Sequence, residues 1–258
     1  MRNALVGGTL ISLCAALLGV CLVLRRFSMI GDGLSHVGFG AIAVAAAAGV
    51  APLKFAIPIV IAAAVCILRI NESGRINGDS AIAVISTGSL AVGVIAASLS
   101  GSNIDLNSYM FGSILAMKSS YVVICAVITA LVLFMYIFLY NRIFSMTFDE
   151  NFTKAIGRKT QVYTTAVAVL TAVTVVVGMQ MMGALLMSSF IIFPALIAMR
   201  VCKSFRSTVI VSAVISVVTF TLGLFVSFYL NTPAGATVVA ADLVLLIAVS
   251  LFSRLRRA

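Results

Sequence analysis

The chain has 258 residues, of which 62% are hydrophobic and 9% are charged, whereas a soluble domain carries about 25% charged residues. Its apolar runs often exceed about 18 residues and are continuous instead of alternating, which predicts an all-α, polytopic membrane helical bundle and argues against a soluble domain or a β-barrel. The net charge of +10 is explained by the positive-inside rule, so we expect membrane lipid and no nucleic acid as a partner.

The apolar segments predict nine membrane-spanning helices in a single transmembrane domain over residues 1–258. Eight is the alternative, because the third segment is short and contains Pro58. The first segment is longer than the apolar part of a secretory signal peptide, so we interpret it as a span. The predicted spans lie near residues 3–24, 34–51, 55–70, 80–99, 119–140, 160–178, 183–199, 207–230 and 235–252.

Nine spans with the N-terminus outside give a strong charge asymmetry, because fourteen of the seventeen lysines and arginines then fall on the cytoplasmic side. The three exceptions are Arg2, Lys54 and Lys118. The asymmetry therefore supports nine spans and a cytoplasmic C-terminus.

An unusual polar pair lies at residues 28–36, SMIGDGLSH, where the chain re-enters the membrane. Asp32 and His36, the single histidine, are four residues apart and project from one face of a helix. His36 lies ten residues beyond Arg26, which predicts a depth of about 15 Å. Ionisable groups at such depth face the bundle interior or a water-filled path, and both groups are ligands for zinc or manganese. The flanking Gly31 and Gly33 permit a helix break or the close approach of another backbone.

A structural role is the alternative for this pair: Asp32 would favour the first turn of a helix, and His36 would be a hydrogen-bonded core residue. As a metal site, two side chains are too few, and the chain has no second histidine. A two-fold dimer brings the same patch of both copies together. The count therefore predicts a homodimer with a central pathway that holds two aspartates and two histidines.

The longest charged loop, TFDENFTKAIGRK at residues 147–159, predicts a short amphipathic helix near 147–158. Thr147 and Glu150 fit a capping box at its start. An apolar residue recurs at every fourth position, at Phe148, Phe152 and Ile156. Gly157 follows and is placed to end the helix. Such a helix either rests on lipid headgroups or docks into a groove on a cytoplasmic partner.

The last predicted span contains Asp242, which is a secondary candidate for function or a polar link between helices. Motifs for enzymatic chemistry are missing from the sequence: it contains no G-x-x-x-x-G-K-[ST], no H-E-x-x-H and no G-x-S-x-G. The chain is therefore predicted to be a non-enzyme that does not hydrolyse ATP by a P-loop.

Five segments, in this order, resemble the permease subunits of bacterial ABC importers for zinc, manganese and iron: GDGLSHVGFGAIAVA, SYMFGSIL, FDENFTKAIG, GALLMSSFIIFPALIAMR and NTPAG. The resemblance runs from Arg25 to beyond Asp242. It implies a homodimeric permease in the bacterial cytoplasmic (inner) membrane, with an extracytoplasmic metal-binding solute-binding protein and two cytoplasmic ATPase subunits as partners. The ATPase subunits would supply ATP hydrolysis.

The resemblance also implies residue roles. Asp32 and His36 would bind the transported divalent metal (zinc, manganese or iron), with no cofactor bound permanently. The segment before an Ala-x-Gly turn would couple to the ATPase, here through Phe148, Glu150, Phe152, Ala155 and Gly157. The fourth span, AVISTGSLAVG, departs from relatives that carry a histidine there.

Two other functions remain open from the sequence. In a proton-coupled secondary transporter, Asp32, His36 and Asp242 would relay protons without an ATPase. A similar bundle could instead carry an iron chelate or cobalamin, although such cargo needs a wide pocket and few direct ligands.

Overall fold

The computed structural model describes residues 2–72, 77–100, 112, 114, 119–148, 153 and 160–255. This part of the chain folds into ten α-helices, which confirms the predicted all-α class. In chain order they are α1 (Arg2–Leu24), α2 (Ile30–Ala47), α3 (Pro52–Glu72), α4 (Gly78–Ser100), α5 (Ser119–Phe138), α6 (Tyr140–Phe148), α7 (Thr160–Met182), α8 (Ala184–Val201), α9 (Phe205–Leu230) and α10 (Ala234–Leu255).

Nine of these ten described helices are long and apolar enough to cross a membrane, the exception being α6. The prediction of nine spans is confirmed over the alternative of eight, and Pro58 lies inside the 21-residue α3. Helix bounds agree with the predicted spans to within a few residues. The shift that matters is in α2, which begins at Ile30 and not near residue 34, so that Asp32 and His36 lie inside a spanning helix.

Helix α1 lies at the centre of the bundle, and 72% of the residues in its apolar, membrane-spanning stretch are buried. It packs against α5, α7, α8 and α9. A side chain at Gly19 would strike the Ile191 carbonyl oxygen on α8, and the Ser216 hydroxyl on α9 donates to the Ser12 carbonyl at 2.9 Å. Such small-residue contacts and interhelical hydrogen bonds stabilise membrane bundles, because lipid supplies no hydrophobic drive between helices.

Helices α2 and α4 form the most extensive helix pair in the described part of the chain. A Cβ atom at Gly93 would lie 2.6 Å from the Gly40 Cα, and one at Gly40 would lie 2.2 Å from the Ser89 carbonyl oxygen. Because the obstructing atoms belong to the backbone, they cannot rotate away. The two glycines therefore set the distance between α2 and α4, the helices that frame the candidate site.

A five-residue turn joins α1 to α2 and determines where α2 begins. Arg26 has a left-handed φ of 64°. The Phe27 N–H donates to the Leu22 carbonyl at 2.9 Å, and the Arg26 N–H donates to the Val23 carbonyl at 3.0 Å. This pair of bonds is a Schellman motif, with arginine in the position that glycine usually occupies. Phe27 is buried, at 4% exposed, and anchors the turn immediately before α2.

The predicted capping box is wrong at Thr147. This residue lies inside α6, in its last turn, whereas an N-cap residue has non-helical backbone angles. Its hydroxyl donates to the Ile143 carbonyl at 2.7 Å and contacts the Cys21 Sγ at 3.1 Å. Most of the predicted coupling helix, at residues 149–152 and 154–159, lies outside the described residues.

Candidate functional site

Asp32 and His36 lie next to each other on α2, as their spacing predicts. The Asp32 Oδ2 and His36 Nε2 atoms are 3.5 Å apart, and the two side chains are 42% and 36% exposed. The Ser35 hydroxyl donates to the Gly31 carbonyl at 2.8 Å within the same helix. The site residues therefore project from regular helix, half covered by the rest of the chain.

The glycines that flank Asp32 have a different role from the one predicted. Helix α2 runs through both without a break. A Cβ atom at Gly31 would lie 2.6 Å from the Ile191 side chain, and one at Gly33 would lie 2.4 Å from the Ile82 side chain. These glycines therefore admit side chains from α8 and α4, and not the backbone of another helix.

The distance between Asp32 Oδ2 and His36 Nε2 matches what a single metal ion requires. Two donor atoms at about 2.1 Å from an ion stand about 3.4 Å apart at a tetrahedral angle and about 3.0 Å apart at a right angle. The observed 3.5 Å therefore allows both atoms to bind one ion with little movement. The other ring nitrogen, Nδ1, is buried with no hydrogen-bond partner among the described residues, so Nε2 is the nitrogen available to an ion.

Asp32 and His36 open into a pocket of about 450 Å³ between α2 and α4. Ser86 and Thr87, within the AVISTGSLAVG segment, line it as well. Their hydroxyls donate to the Ala83 carbonyl at 3.1 and 2.7 Å, so their oxygen lone pairs remain free to accept. This pocket therefore offers hydroxyl oxygen atoms at the segment where the resemblance implies a histidine in some relatives.

Asp79 lines the pocket as well, although the sequence analysis did not single it out. It lies in the first turn of α4, and its exposed side chain lines the same pocket as Asp32 and His36. One signal could have indicated it: Asp79 and Asp32 both lie a short way inside the cytoplasmic ends of their spans. Their meeting depends on α2 packing beside α4, which the sequence does not specify.

Asp242, the secondary candidate, does not join this site. It is fully buried, and neither carboxyl oxygen is hydrogen-bonded to a described residue. Thr219 on α9 lies beside the carboxyl, but its hydroxyl donates to the Ser216 carbonyl at 3.3 Å. Across the described residues, no group of three or more His, Cys, Asp or Glu side chains is placed to hold a metal ion.

Phe148 is the described member of the predicted ATPase-coupling residues. It ends α6 with 60% of its surface exposed, and its ring centroid lies 4.9 Å from that of Phe144 and 6.0 Å from that of Phe205. Tyr140 completes this aromatic cluster, at 5.7 Å from Phe205. The cluster ties α6 to the start of α9. Glu150, Phe152, Ala155 and Gly157 lie outside the described residues.

Nine apolar helices in the described part of the chain, with an ionisable pair that opens into a pocket between two of them, are the features of a multi-pass membrane protein of the transport class. The chain belongs to the ABC 3 transport family, which it matches over residues 1–253. It is therefore a membrane component of an ABC transporter, which confirms the resemblance drawn from the five sequence segments.

Individual relatives agree with this assignment. A "Probable metal transport system membrane protein" of Thermotoga maritima is 30% identical over 242 residues, which cover 93% of this chain and 85% of the relative. The "Manganese import system permease protein ScaB" of Streptococcus gordonii is 29% identical, with 93% and 86% covered. The solved structure of "PsaBC from Streptococcus pneumoniae in complex with Fab" matches with a TM-score of 0.84 and 28% identity, over 96% of this chain and 90% of that chain.

Proposed function

We propose that this chain is the transmembrane permease subunit of an ATP-driven importer of divalent transition-metal ions in a bacterial cytoplasmic membrane. The observation that carries the proposal is the Asp32–His36 pair. Its donor atoms are 3.5 Å apart, and its side chains stay 42% and 36% exposed within a spanning helix. The ion is the cargo, and it passes by exchange of ligands with no covalent step.

The exposed face of this pair cannot lie against lipid. Asp32 lies in the first turn of α2, as its structural alternative predicts, and an ionised carboxylate facing hydrocarbon is costly, by about 2.5–3.5 kcal/mol at the centre of a span and less towards its ends. The face must therefore meet a water-filled path or another protein surface. The pocket beside Asp32 and His36 supports a path, because carboxylate, imidazole and hydroxyl groups line one space.

A second copy of the chain would complete the metal site. An isologous contact brings the same surface of both protomers together, so that Asp32 and His36 of each copy would supply four donors. Four donors satisfy a tetrahedral ion, and added water molecules would complete an octahedral one. The incomplete donor set of the described single chain supports this homodimer.

Membership of the ABC 3 transport family supports the proposed partners. Two cytoplasmic ATPase subunits would bind through the predicted helix near residues 147–158, a segment that includes Phe148 of the aromatic cluster. An extracytoplasmic solute-binding protein would deliver the metal. Closure of the ATPase pair would tilt the helices and expose the site to each side of the membrane in turn.

We infer that the oxygen atoms of the pocket lining favour manganese over zinc as the cargo, although the two-Asp, two-His set alone suits either ion. Carboxylate and other oxygen ligands suit manganese, whereas zinc sites usually combine several nitrogen or sulfur ligands. The described lining offers the oxygens of Asp32, Ser86 and Thr87 beside a single imidazole. The relative from Streptococcus gordonii is named for manganese import. Competition of manganese uptake by zinc and iron(II) would rank the three ions.

The test is metal uptake by the permease reconstituted in lipid vesicles with its ATPase and binding protein. Asp32→Ala and His36→Ala should each lower the uptake of radioactive manganese at least about tenfold, because even outer-shell partners of metal ligands contribute about 10–100-fold. Metal-stimulated ATP hydrolysis should fall with it. Unchanged uptake and unchanged stimulation in both variants would refute the site.

Glu72→Gln is the matched control. Glu72 is a carboxylate at the cytoplasmic end of α3, paired with Arg69 at 3.4 Å and Gln161 at 3.1 Å, and it does not line the pocket. This variant should transport like the wild type. The purified chain alone should take up no metal under a pH gradient; uptake there would favour the proton-coupled alternative.

A further inference from the structure

Thr164 on α7 joins two other elements at the arginine-rich end of the bundle. Its side chain is buried, at 2% exposed. The Thr164 hydroxyl accepts a hydrogen bond from the Arg25 Nη1 atom at 3.0 Å, and it donates to the Met146 Sδ atom on α6 at 3.9 Å. A hydroxyl can donate and accept at the same time, so the two bonds do not compete. Since Arg25 lies in the turn between α1 and α2, this one hydroxyl connects α6 to that turn.

The α1–α2 turn links Arg25 to the candidate metal pair. The Phe27 N–H donates to the Leu22 carbonyl at 2.9 Å, and the Ile30 N–H donates to the Phe27 carbonyl at 3.2 Å. Helix α2 then begins at Ile30 and carries Asp32 in its first turn, seven residues after Arg25. Because hydrogen bonds continue from the turn into α2, a displacement of Arg25 shifts the start of α2 as well.

Helix α6 is bonded in turn to the predicted coupling helix near residues 147–158. Thr153 is a described residue of that segment, and it is 5% exposed. Its hydroxyl donates to the Ser145 carbonyl on α6 at 3.2 Å. The next residue, Met146, is 1% exposed and is the one that contacts Thr164. The segment is therefore attached to α6 one residue away from the contact between α6 and α7.

A second contact of α6 reaches the same turn. The Thr147 hydroxyl contacts the Cys21 Sγ atom on α1 at 3.1 Å, and the Cys21 carbonyl accepts from the Arg25 N–H at 3.2 Å. Two consecutive residues of α6 thus connect to Arg25, one through α1 and one through Thr164. The connection through Thr164 depends on a side-chain hydroxyl, so a substitution of the same shape can remove it and leave the backbone unchanged.

We propose that Thr164 is a positioning residue that transmits movement of the ATPase-contacting segment to the metal site. The inference rests on the proposed function. Chains of hydrogen bonds and packed side chains carry energetic coupling between distant sites. When the ATPase subunits close, displacement of the segment near residues 147–158 passes through α6 and Thr164 to the α1–α2 turn, and it reorients the first turn of α2. Thr164 contacts neither the ion nor ATP and acts only through Arg25 and α2.

The first test is the amount of Mn²⁺ transported per ATP hydrolysed by the complete transporter in vesicles. Thr164→Val keeps the buried shape and removes the hydroxyl, so the ratio should fall by about two- to thirtyfold, with Mn²⁺ affinity unchanged. Thr164→Ser retains the hydroxyl and should keep the wild-type ratio. Thr171→Val is the matched control on α7, because the buried Thr171 hydroxyl donates within its own helix, to the Val167 carbonyl at 2.8 Å.

The second test follows the start of α2 and does not depend on the cargo. Met29 precedes α2, is 49% exposed and lines the pocket, so Met29→Cys places a reactive thiol there. The more accessible native thiols are first removed by Cys66→Ser and Cys202→Ser. In the complete transporter, ATP with vanadate should change the rate at which a maleimide labels position 29. This change should persist with Thr171→Val and be largely lost with Thr164→Val.

Four results would contradict the role of Thr164. The first is an equal ratio of Mn²⁺ to ATP in Thr164→Val and Thr171→Val, and the second is loss of Mn²⁺ binding in Thr164→Val. The third is a low ratio in Thr164→Ser with an unchanged Tm, and the fourth is labelling at position 29 that ATP does not alter in the background chain. If Asp32→Ala transported normally, the proposed function would fail, whereas the labelling experiment would still decide whether Thr164 links the ATPase to α2.

Discussion

The contact between α2 and α4 predicts a large effect from a single added methyl group. In Gly40→Ala the new Cβ atom would lie 2.2 Å from the Ser89 carbonyl oxygen, and real Cβ contacts essentially never fall below 3.0 Å. The helices must therefore separate by roughly 0.8 Å. Overpacking of this kind costs about 3 kcal/mol, and the better helix propensity of alanine returns about 1 kcal/mol. The net loss of about 2 kcal/mol corresponds to a Tm about 4–8 °C lower.

Thermal unfolding in detergent measures this loss. The chain contains no tryptophan, but Cys14, Cys21 and Cys125 are buried free thiols, so a thiol-reactive dye reports unfolding as they become accessible. Gly88→Ala is the matched control on α4, because a Cβ atom there meets nothing within 4 Å. Its Tm should stay level or rise by up to about 4 °C.

Metal uptake extends the same test to function. Separating α2 from α4 widens the pocket between Asp32 and the residues of α4, so Gly40→Ala should lower uptake by about tenfold, given that misplacement of about 1 Å costs up to about 100-fold in enzymes. Equal Tm and equal uptake in Gly40→Ala and Gly88→Ala would refute the claim that backbone contact fixes this wall of the site.

Three further substitutions test other contacts. Asp242→Asn replaces a buried carboxyl that has no described partner, and it should raise the Tm by about 2–4 °C with uptake retained; reduced uptake would restore Asp242 as a functional residue. Tyr136→Phe removes the hydrogen bond to the Leu17 carbonyl and should lower the Tm by about 2–4 °C, which an unchanged melting curve would contradict. Phe205→Ala removes the centre of the aromatic cluster and should reduce the amount of metal transported per ATP hydrolysed. An unchanged ratio would show that the cluster has no role in coupling ATP hydrolysis to transport.

Much of the architecture could be predicted from hydropathy alone. Each membrane span must satisfy its backbone hydrogen bonds internally, so it is a helix, and its sequence is a continuous apolar run. The pairing of Asp32 with His36 was predictable for a similar reason: both lie on a single helix, where spacing fixes their separation. The start of α2 could not be predicted. The Schellman turn before it has an arginine at the left-handed position, where glycine is the usual sequence signal.

Features that depend on contacts between helices could not be derived from the sequence. Asp79 joins the pocket only through the packing of α4 on α2, and the roles of Gly31 and Gly33 depend on which side chains of α4 and α8 come near. The prediction of a capping box at Thr147 was wrong because α6 begins at Tyr140 and already contains Thr147. A capping motif is local, so it cannot reveal that an earlier helix runs through it.

The central position of α1 has a consequence for how the protein is made. Helix α1 leaves the ribosome well before its partners α8 and α9 and must wait for them, since Gly19 meets Ile191 on α8 and Ser12 accepts from Ser216 on α9. At about 5–20 residues per second, the segment that separates Gly19 from Ile191 takes roughly 10–30 s to synthesise. During that interval one face of α1 lies against lipid or an insertion factor. In a chain truncated before α8, this face of α1 would have no partner helix. We expect membrane quality control to recognise such a chain as misfolded.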